Sequence, residues 1–553
     1  MNYFLVILVF FIAAMVVFNV HYVPMIITID LANQQPILEK ESFVWTRSNK
    51  MNDEEKDSSQ HRLDGLNCDI YGGPSEEVAK EMVYWRDIPS DSEFTSQFAN
   101  YGVHEKKYLT FEPDEGGWNN IRMSMETAVA LAHAMGRTLV LPPAQNIYLL
   151  RNDGRKNRFT FKDFFHFDSI AEEHAGVEVI TMKEFLELEV MTGNFIDAAS
   201  GQPARVPENR TDWDGHIPTK KKFWLWLRNA SGAPKWDFDK CVVGLASKTG
   251  PEESSKMHQT LTMAKKIKQN RDPRSYTDKP VPVNASPEER LAEMLGNRKE
   301  MCLYGDHFQN AKVMHFMGDN ASGARLLVHF YAYLYFQDWH QDLLTKRFMR
   351  DHLRYIDEIQ CAAARIVNAV RQKAKENGSL DGVFDTFHIR RGDFQYKDTR
   401  VDADVIYENT KGILVENSTI FIATDEKNLT FFDHLRKHYN LLFLHDFEHL
   451  ITGVNKNYYG MLDQLVASRG RTFSGAYYST FTGYINRIRG YHSQKLKLPG
   501  HELGQINSYF YIPKYLKDNM NHYMSLQPPL WGREFPVAWR DIDHDVEETL
   551  ILS

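Results

Sequence analysis

Arg390 and Arg391 stand side by side at the end of an apolar run, Gly382-Val-Phe-Asp-Thr-Phe-His-Ile-Arg-Arg-Gly-Asp-Phe394. Guanidinium groups hold their charge at any working pH and offer a planar fork of N–H donors, so the chemistry they point to is recognition of phosphate or carboxylate. His388, Gly392 and Asp393 complete the stretch; taken alone, a surface Arg–Asp ion pair beside a turn explains the two arginines equally well. Two further groups weigh against that plain reading. Gly116-Gly117-Trp-Asn119-Asn-Ile-Arg122 sets adjacent glycines before amide and guanidinium donors, where bare backbone N–H groups at a helix start favour an anion. Asp114 and Glu115, directly before it, are candidate carboxylate bases, or simply acids that suit a helix dipole. Farther on, Asp463 precedes Tyr478-Ser479-Thr480-Phe481, where either hydroxyl, together with exposed amides, suits a phosphate or caps a helix.

These groups need elements to hold them. Tyr108–Phe111 reads as a strand, 112–117 as a turn, Trp118–Met135 as a helix closed by Gly136, and Thr138–Leu141 as a second strand stopped by two prolines. That order makes a βαβ unit of a parallel sheet, the helix packing through Ile121, Met125, Ala128, Val129 and Ala132. The stretch 144–310 has no clear order; Pro251 to Lys299 reads as a lysine-rich loop with a short helix after it. Lys312–Met317 reads as a strand and Asp351–Glu376 as one long helix. Alternation then resumes: a strand ending at Ile389, strands at Thr419–Ala423 and Leu441–Leu444, and helices at Tyr458–Ala467 and Phe481–Ile488. An α/β protein with mostly parallel sheets covered on both faces follows, and open sheets of that kind bind ligands at their carboxyl edges.

In that order along the chain, the Gly116–Arg122 loop, His388-Ile-Arg390-Arg-Gly-Asp393 and Tyr478-Ser-Thr-Phe481 together resemble the GDP-fucose protein O-fucosyltransferase superfamily, over roughly residues 105–500. The resemblance implies a GT-B architecture of two Rossmann-like domains facing a cleft. It places 105–376 on the acceptor side, and 377–553, tail included, on the GDP-sugar side. It implies inverting transfer of fucose from GDP-fucose to a hydroxyl of a protein or glycan acceptor, with no metal or other cofactor required. Arg390 then matches the arginine that contacts the diphosphate and stabilises departing GDP, and His388 lines the nucleotide pocket. Asp463 resembles the aspartate that binds guanine. Ser479, Thr480 and Phe481 resemble the element that holds phosphate and packs the base. Gly116, Gly117, Asn119 and Arg122 resemble the loop facing the diphosphate across the cleft. Glu115 is the nearest match to a base that precedes a Gly-Phe-Asn-Leu-Arg loop in one branch, with an extra glycine intervening here. Arg391 and Asp393 are expected to brace the loop.

The rest of the chain bounds this reading. Its 553 residues exceed one core, and its net charge of −8, from 65 basic and 73 acidic residues, excludes a general nucleic-acid binder. Tyr3–Phe18 is almost wholly apolar, and with the weaker run to Ile29 it reads as an uncleaved signal anchor over 1–29. The polar run Leu31–Leu63 reads as flexible, and the stem is taken to reach 104. Sequons at Asn209, Asn229, Asn284, Asn320, Asn377, Asn417 and Asn428 fit the lumenal side of a Golgi or endoplasmic reticulum membrane. The four cysteines lie far apart, which leaves two disulfides or none and gives no zinc pattern. Three alternatives stay open: a GDP-sugar transferase using another sugar, a non-catalytic carbohydrate-binding protein of the same fold, and a metal-dependent GT-A enzyme. The last would use an Asp-x-Asp pair such as Asp212/Asp214, Asp237/Asp239, Asp402/Asp404 or Asp541/Asp543. His445 and His449 have helical metal-ligand spacing without a third ligand and read as ordinary loop residues.

Overall fold

Among the described residues, three parallel sheets make the frame. The computed structural model describes residues 62–99, 105–114, 116–147, 150, 158–214, 217–231, 234, 236, 237, 240–270, 281–318, 327, 331–392, 394–512, 519–521 and 532–546. The apolar run at 1–29, Glu115, Asp393 and Asn320 lie outside them. Contacts divide the chain at Lys56/Asp57, so every described residue falls in the second unit. Among the described residues, no helix is long and apolar enough to cross a membrane.

Among helices of at least eight residues, the chain order is β1 (Tyr108–Phe111), α1 (Trp118–Met135), β2 (Thr138–Leu141), β3 (Val179–Thr181), α2 (Ile217–Ser231), β4 (Cys241–Leu245), α3 (Pro251–Asn270), α4 (Pro287–Met294), β5 (Glu300–Leu303), β6 (Val313–Phe316) and β7 (Leu334–Phe336). It continues α5 (Trp339–His352), α6 (Asp357–Glu376), β8 (Asp385–Ile389), α7 (Ala403–Thr410), β9 (Thr419–Thr424), β10 (Asn440–Phe443), α8 (Tyr459–Ser468), β11 (Phe473–Gly475), α9 (Thr480–Leu496) and β12 (Ser508–Phe510). The sheets run β3-β2-β1-β6, β10-β9-β8-β11-β12 and β5-β4-β7. Their strands pair in parallel throughout, with Tyr108 opposite Thr138 and Val313, and His388 opposite Ala423 and Gly475.

Helix α1 follows Gly117 as its N-cap and ends where Gly136 takes a left-handed φ of 60°. A Cβ there would meet Ala99 backbone at 2.7 Å, so the stop needs glycine. The apolar face read from sequence is inside, but so is the rest: Ile121 through Met135 are all buried, because α1 packs against β1 and β2 and also against α5 and α9. Burial on all sides admits polar residues only where they find partners, and Arg122 and Glu126 find each other.

Four sequence expectations change. The single helix over Asp351–Glu376 is broken: α5 ends at His352, and α6 starts at Asp357. Between them Tyr355 pairs in an antiparallel bridge with Phe165, and Arg354 lies 3.9 Å from the ring centre of Trp85. The lysine-rich stretch after Pro251 is the helix α3, buried through Met257, Leu261 and Ala264 at helical spacing. The unordered region 144–310 holds a third sheet. Finally, 62–99, within the stretch taken as stem, is packed: Leu66, Cys68, Met82, Tyr84, Trp85 and Phe98 lie in the main core. Two disulfides form, Cys68–Cys361 onto α6 and Cys241–Cys302 from β4 to β5.

Candidate active site

Strand β8 is buried along its whole length, and burying Phe387 and Ile389 stabilises it by roughly 1.5–3 kcal/mol each. Its carboxyl end therefore has one course, into the Arg390–Gly392 turn. Three hydrogen bonds, from backbone N–H groups to two side chains, fix that turn. The Arg390 N–H donates to Tyr511 Oη at 3.3 Å, and the N–H groups of Arg391 and Gly392 donate to Asp425 Oδ1 at 2.7 and 2.9 Å. Asp425 follows β9, the neighbouring strand. Its other oxygen, Oδ2, lies 3.1 Å from Arg390 Nε, an ion pair too bent to count as a hydrogen bond. The Arg390 guanidinium also sits 5.4 Å from the Phe394 ring centre and keeps 24% of its side-chain surface exposed. It is thus a tethered cation with a face to solvent.

Arg391 is placed differently. Nε meets Glu426 Oε2 at 3.0 Å, Nη1 donates to Val401 O at 2.8 Å, and the guanidinium covers the Phe431 ring at 3.9 Å. Its partners are those of a loop brace.

Helix α9 starts over the same strand end. Ser479 is its N-cap, accepting from Thr482 N–H at 3.5 Å, so the plainer reading of that hydroxyl holds in the structure. Thr482 Oγ1 is 2.7 Å from His388 Nδ1, and Phe481 stacks on the His388 ring with centroids 4.4 Å apart. These two contacts bring the first turn of α9 against β8 and set Ser479, Thr480 and Phe481 beside the Arg390 turn. His388 is buried and next to Arg390; burial first, and that positive charge second, lower its pKa to about 3. It stays neutral across the physiological range and serves as a wall, not as an acid or base. The turn before α9 is strained: Tyr478 holds a φ of 60°, rare for a large side chain, with its ring stacked on Tyr396 at 4.4 Å.

The other face comes from α1. Gly116 N–H donates to Asp114 Oδ1 at 2.7 Å, and beside Gly117 a Cβ would meet nothing within 4 Å, so that backbone faces open space. Asn119 Oδ1 accepts from Gln464 Nε2 at 2.9 Å, and Gln464 Oε1 accepts from Tyr355 Oη at 2.9 Å; Tyr355 Oη in turn accepts from Trp118 Nε1 at 3.1 Å. This buried chain ties the start of α1 to α8. Asp463 is the residue before Gln464 on α8. One oxygen of Asp463, Oδ1, is buried with no hydrogen-bond partner among the described residues, and desolvation raises its pKa well above its ordinary value.

Arg122 does not join the loop that faces this space. It is fully buried behind it, with Nη1 2.8 Å from Glu126 Oε1, Nη2 2.5 Å from Glu534 Oε1, and its guanidinium 3.8 Å from the Tyr484 ring centre. An arginine spent on two buried carboxylates is a packing and electrostatic group. Glu112, at the end of β1, is equally committed: Arg228 grips it with two contacts of 2.6 Å and His315 Nε2 lies 3.1 Å away. Burial alone would raise its pKa, but these partners prevail and lower it to about 2, so it is no base at neutral pH. Of the Asp-x-Asp residues, Asp543 is taken by Arg350 at 2.7 Å, and Asp402 stands at the N-cap of α7. His445 and His449 are exposed on a 3₁₀ segment.

Sequence reasoning missed Asp425, Tyr511 and Gln464. Asp425 carried a usable signal, an acid directly after a strand that neighbours β8. Tyr511 and Gln464 carried none, since each acts through a contact more than a hundred residues away in sequence.

The family model described as GDP-fucose protein O-fucosyltransferase matches residues 108–492, more than half of the chain. No curated protein sequence matches it. Among solved structures, POFUT1 in complex with GDP-fucose aligns at 15% identity and TM-score 0.34, covering 74% of this chain and 98% of that one. NodZ alpha-1,6-fucosyltransferase co-crystallized with GDP aligns at 14% identity and TM-score 0.31, covering 69% and 92%. NodZ from Bradyrhizobium, in a separate structure, aligns equally at 14% and 0.31, covering 69% and 93%.

Proposed function

The chain belongs to the GDP-fucose protein O-fucosyltransferase family and is a glycosyltransferase; from that premise we propose that it transfers fucose from GDP-fucose to a hydroxyl of a protein or glycan acceptor, with inversion, between two Rossmann-like halves of a GT-B architecture. The observation that carries the site assignment is the His388–Thr482 bond, which holds the start of α9 against the end of β8. One anion then meets both the Arg390 guanidinium and the first amides of a helix.

The mechanism follows from charge. The acceptor oxygen attacks the anomeric carbon of fucose, the bond from that carbon to the β-phosphate oxygen breaks, and its electron pair leaves with GDP. The negative charge that develops falls between Arg390 and the α9 N-terminus, preorganised groups that need no rearrangement during the step. This reading requires no metal, because fixed cationic and dipolar groups meet that charge. Glu115 takes the acceptor proton. Asp463 receives guanine N–H donors, which would satisfy the carboxylate oxygen that has no hydrogen-bond partner among the described residues. His388 and Phe481 form the wall behind the nucleotide. Gly116, Gly117 and Asn119 close the diphosphate end from the other side, and Arg122 stiffens their helix from behind.

A lumenal setting, with residues 1–29 as anchor, agrees with two disulfides that persist only in an oxidising compartment. The function is tested by incubating the full chain with labelled GDP-fucose and a pool of secretory glycoproteins. Transfer of label with release of GDP is expected, and it is lost in Arg390→Ala. Label transfer by that variant at the wild-type rate would remove Arg390 from the reaction, and no transfer from any GDP-sugar would undo the assignment.

A further inference from the structure

A fully buried cluster of four charged side chains lies between α1 and the C-terminal segment. Arg122 and Glu126 of α1, Arg487 of α9 and Glu534 of the C-terminal segment meet with side chains at most 5% exposed. Glu126 binds both arginines, Arg122 Nη1 at 2.8 Å and Arg487 Nη2 at 2.7 Å. Glu534 also binds both, Arg122 Nη2 at 2.5 Å and Arg487 Nε at 3.4 Å. Tyr331 Oη donates to Glu126 at 2.8 Å, and the Tyr484 ring lies under both guanidinium groups, at 3.8 and 4.8 Å. The charges sum to zero, so the quartet persists although burial of any one member alone would be costly.

Its position gives it a task. Arg122 lies one turn beyond Asn119 on α1, and Arg487 two turns beyond Ser479 and Thr480 on α9, so the quartet clamps together the two helices whose first turns face the nucleotide. Glu534 closes the clamp from outside both helices. Its backbone carbonyl accepts from Asn486 Nδ2 at 2.8 Å, and its side chain rests on Gly483, where a Cβ would stand 3.0 Å from Glu534 Cβ and Cγ. The next residue, Phe535, packs against the Met123–Tyr331 cluster, on which Tyr478, the strained residue just before the Ser479 cap, also packs. Glu534 lies beyond residue 492, where the family match ends.

We propose that Glu534, acting through Arg122 and Arg487, is a positioning residue for the donor site, fixing the separation between the α1 and α9 N-termini. This rests on the reading of that site as a GDP-sugar pocket. The obvious variant, Glu534→Gln, leaves Glu126 facing two arginines and risks misfolding. The informative one is therefore the paired Arg487→Met/Glu534→Gln, which leaves Arg122–Glu126 as a neutral buried pair. GDP binding is measured by calorimetry on the full chain, with thermal unfolding alongside. The expected result is a cooperative transition retained and GDP affinity weakened roughly tenfold or more, with donor KM raised and acceptor KM unmoved. Gly483→Ala, which displaces Glu534 without altering charge, should weaken GDP in the same sense. Variants that fold and bind GDP within about twofold of wild type would overturn the proposal and leave the quartet a stability element only. A wild-type chain that binds no GDP would instead overturn the donor reading itself.

Discussion

Adjacent arginines make the contrast at the scale of the residue. Arg390 has Asp425 beside it, the Phe394 ring nearby and an exposed face, whereas Arg391 is held by Glu426, Val401 and Phe431. Arg390→Ala is expected to lower kcat/KM by roughly 10²–10³-fold, the usual cost of removing one preorganised donor to developing charge. Its effect on stability should stay below about 1 kcal/mol, because the pair with Asp425 is partly exposed. Arg391→Ala should do the reverse: a loss of about 1–2 kcal/mol from a charge-assisted bond and a covered ring, seen in urea unfolding, with near-normal turnover per folded molecule. Asp463 makes a third case. A group whose folded pKa is raised destabilises the fold increasingly above its unfolded value, so Asp463→Asn should raise the unfolding temperature at neutral pH while weakening GDP binding. A lower unfolding temperature would show the carboxylate to be satisfied within the protein.

At the scale of elements, the end of β8 is a designed approach rather than a generic turn. A Cβ at Gly392 would stand 2.5 Å from Asp425 Oδ2, the oxygen that faces Arg390. Gly392→Ala is therefore expected to displace Asp425 and with it Arg390. Turnover should fall by about tenfold or more, with GDP binding weakened and β8 still folded, as judged by unchanged far-ultraviolet dichroism. Elements of this kind were legible in the sequence where their pattern is local. Tyr108–Phe111, Trp118–Met135 and Thr138–Leu141 occur with the bounds read from strand-forming runs, Gly117 and Gly136. What was not legible depends on distant partners. The break at Leu353–Ile356 is imposed by Phe165 and Trp85, while β11 and β12 are three residues long and exist as strands through their pairing to β8 and to each other. Likewise Arg122 reads as a loop donor from its place after two glycines, and only the arrival of Glu534 from the far end of the chain assigns it to the interior.

Over the whole molecule, buried neutral histidines set the response to acid. His133, His174, His388 and His492 are all depressed by burial, His174 to about 4 and His388 to about 3, from an ordinary value of 6.5. Between pH 6.5 and 4 the unfolded chain binds protons that the folded one refuses. Stability therefore falls as pH drops, by up to about 1.4 kcal/mol per unit for each such histidine. Glu112 adds a separate loss at lower pH, from its ordinary 4.5 down to about 2, as its ion pair is protonated away. Urea midpoints from pH 7.5 to 4 should decline steadily, and His388→Gln should flatten the slope by its share. A flat profile would mean that these rings are already charged in the fold.

The central claim is that a GDP-sugar lies between the start of α9 and the start of α1, with its diphosphate on Arg390. The most direct test is calorimetric titration of the full-length chain with GDP-fucose, GDP, UDP and ADP, alongside Arg390→Ala. The account predicts saturable binding of the two guanine nucleotides, none of UDP or ADP, and a large loss of affinity in the variant. Equal binding of all four nucleotides, or GDP binding untouched by Arg390→Ala, would contradict it.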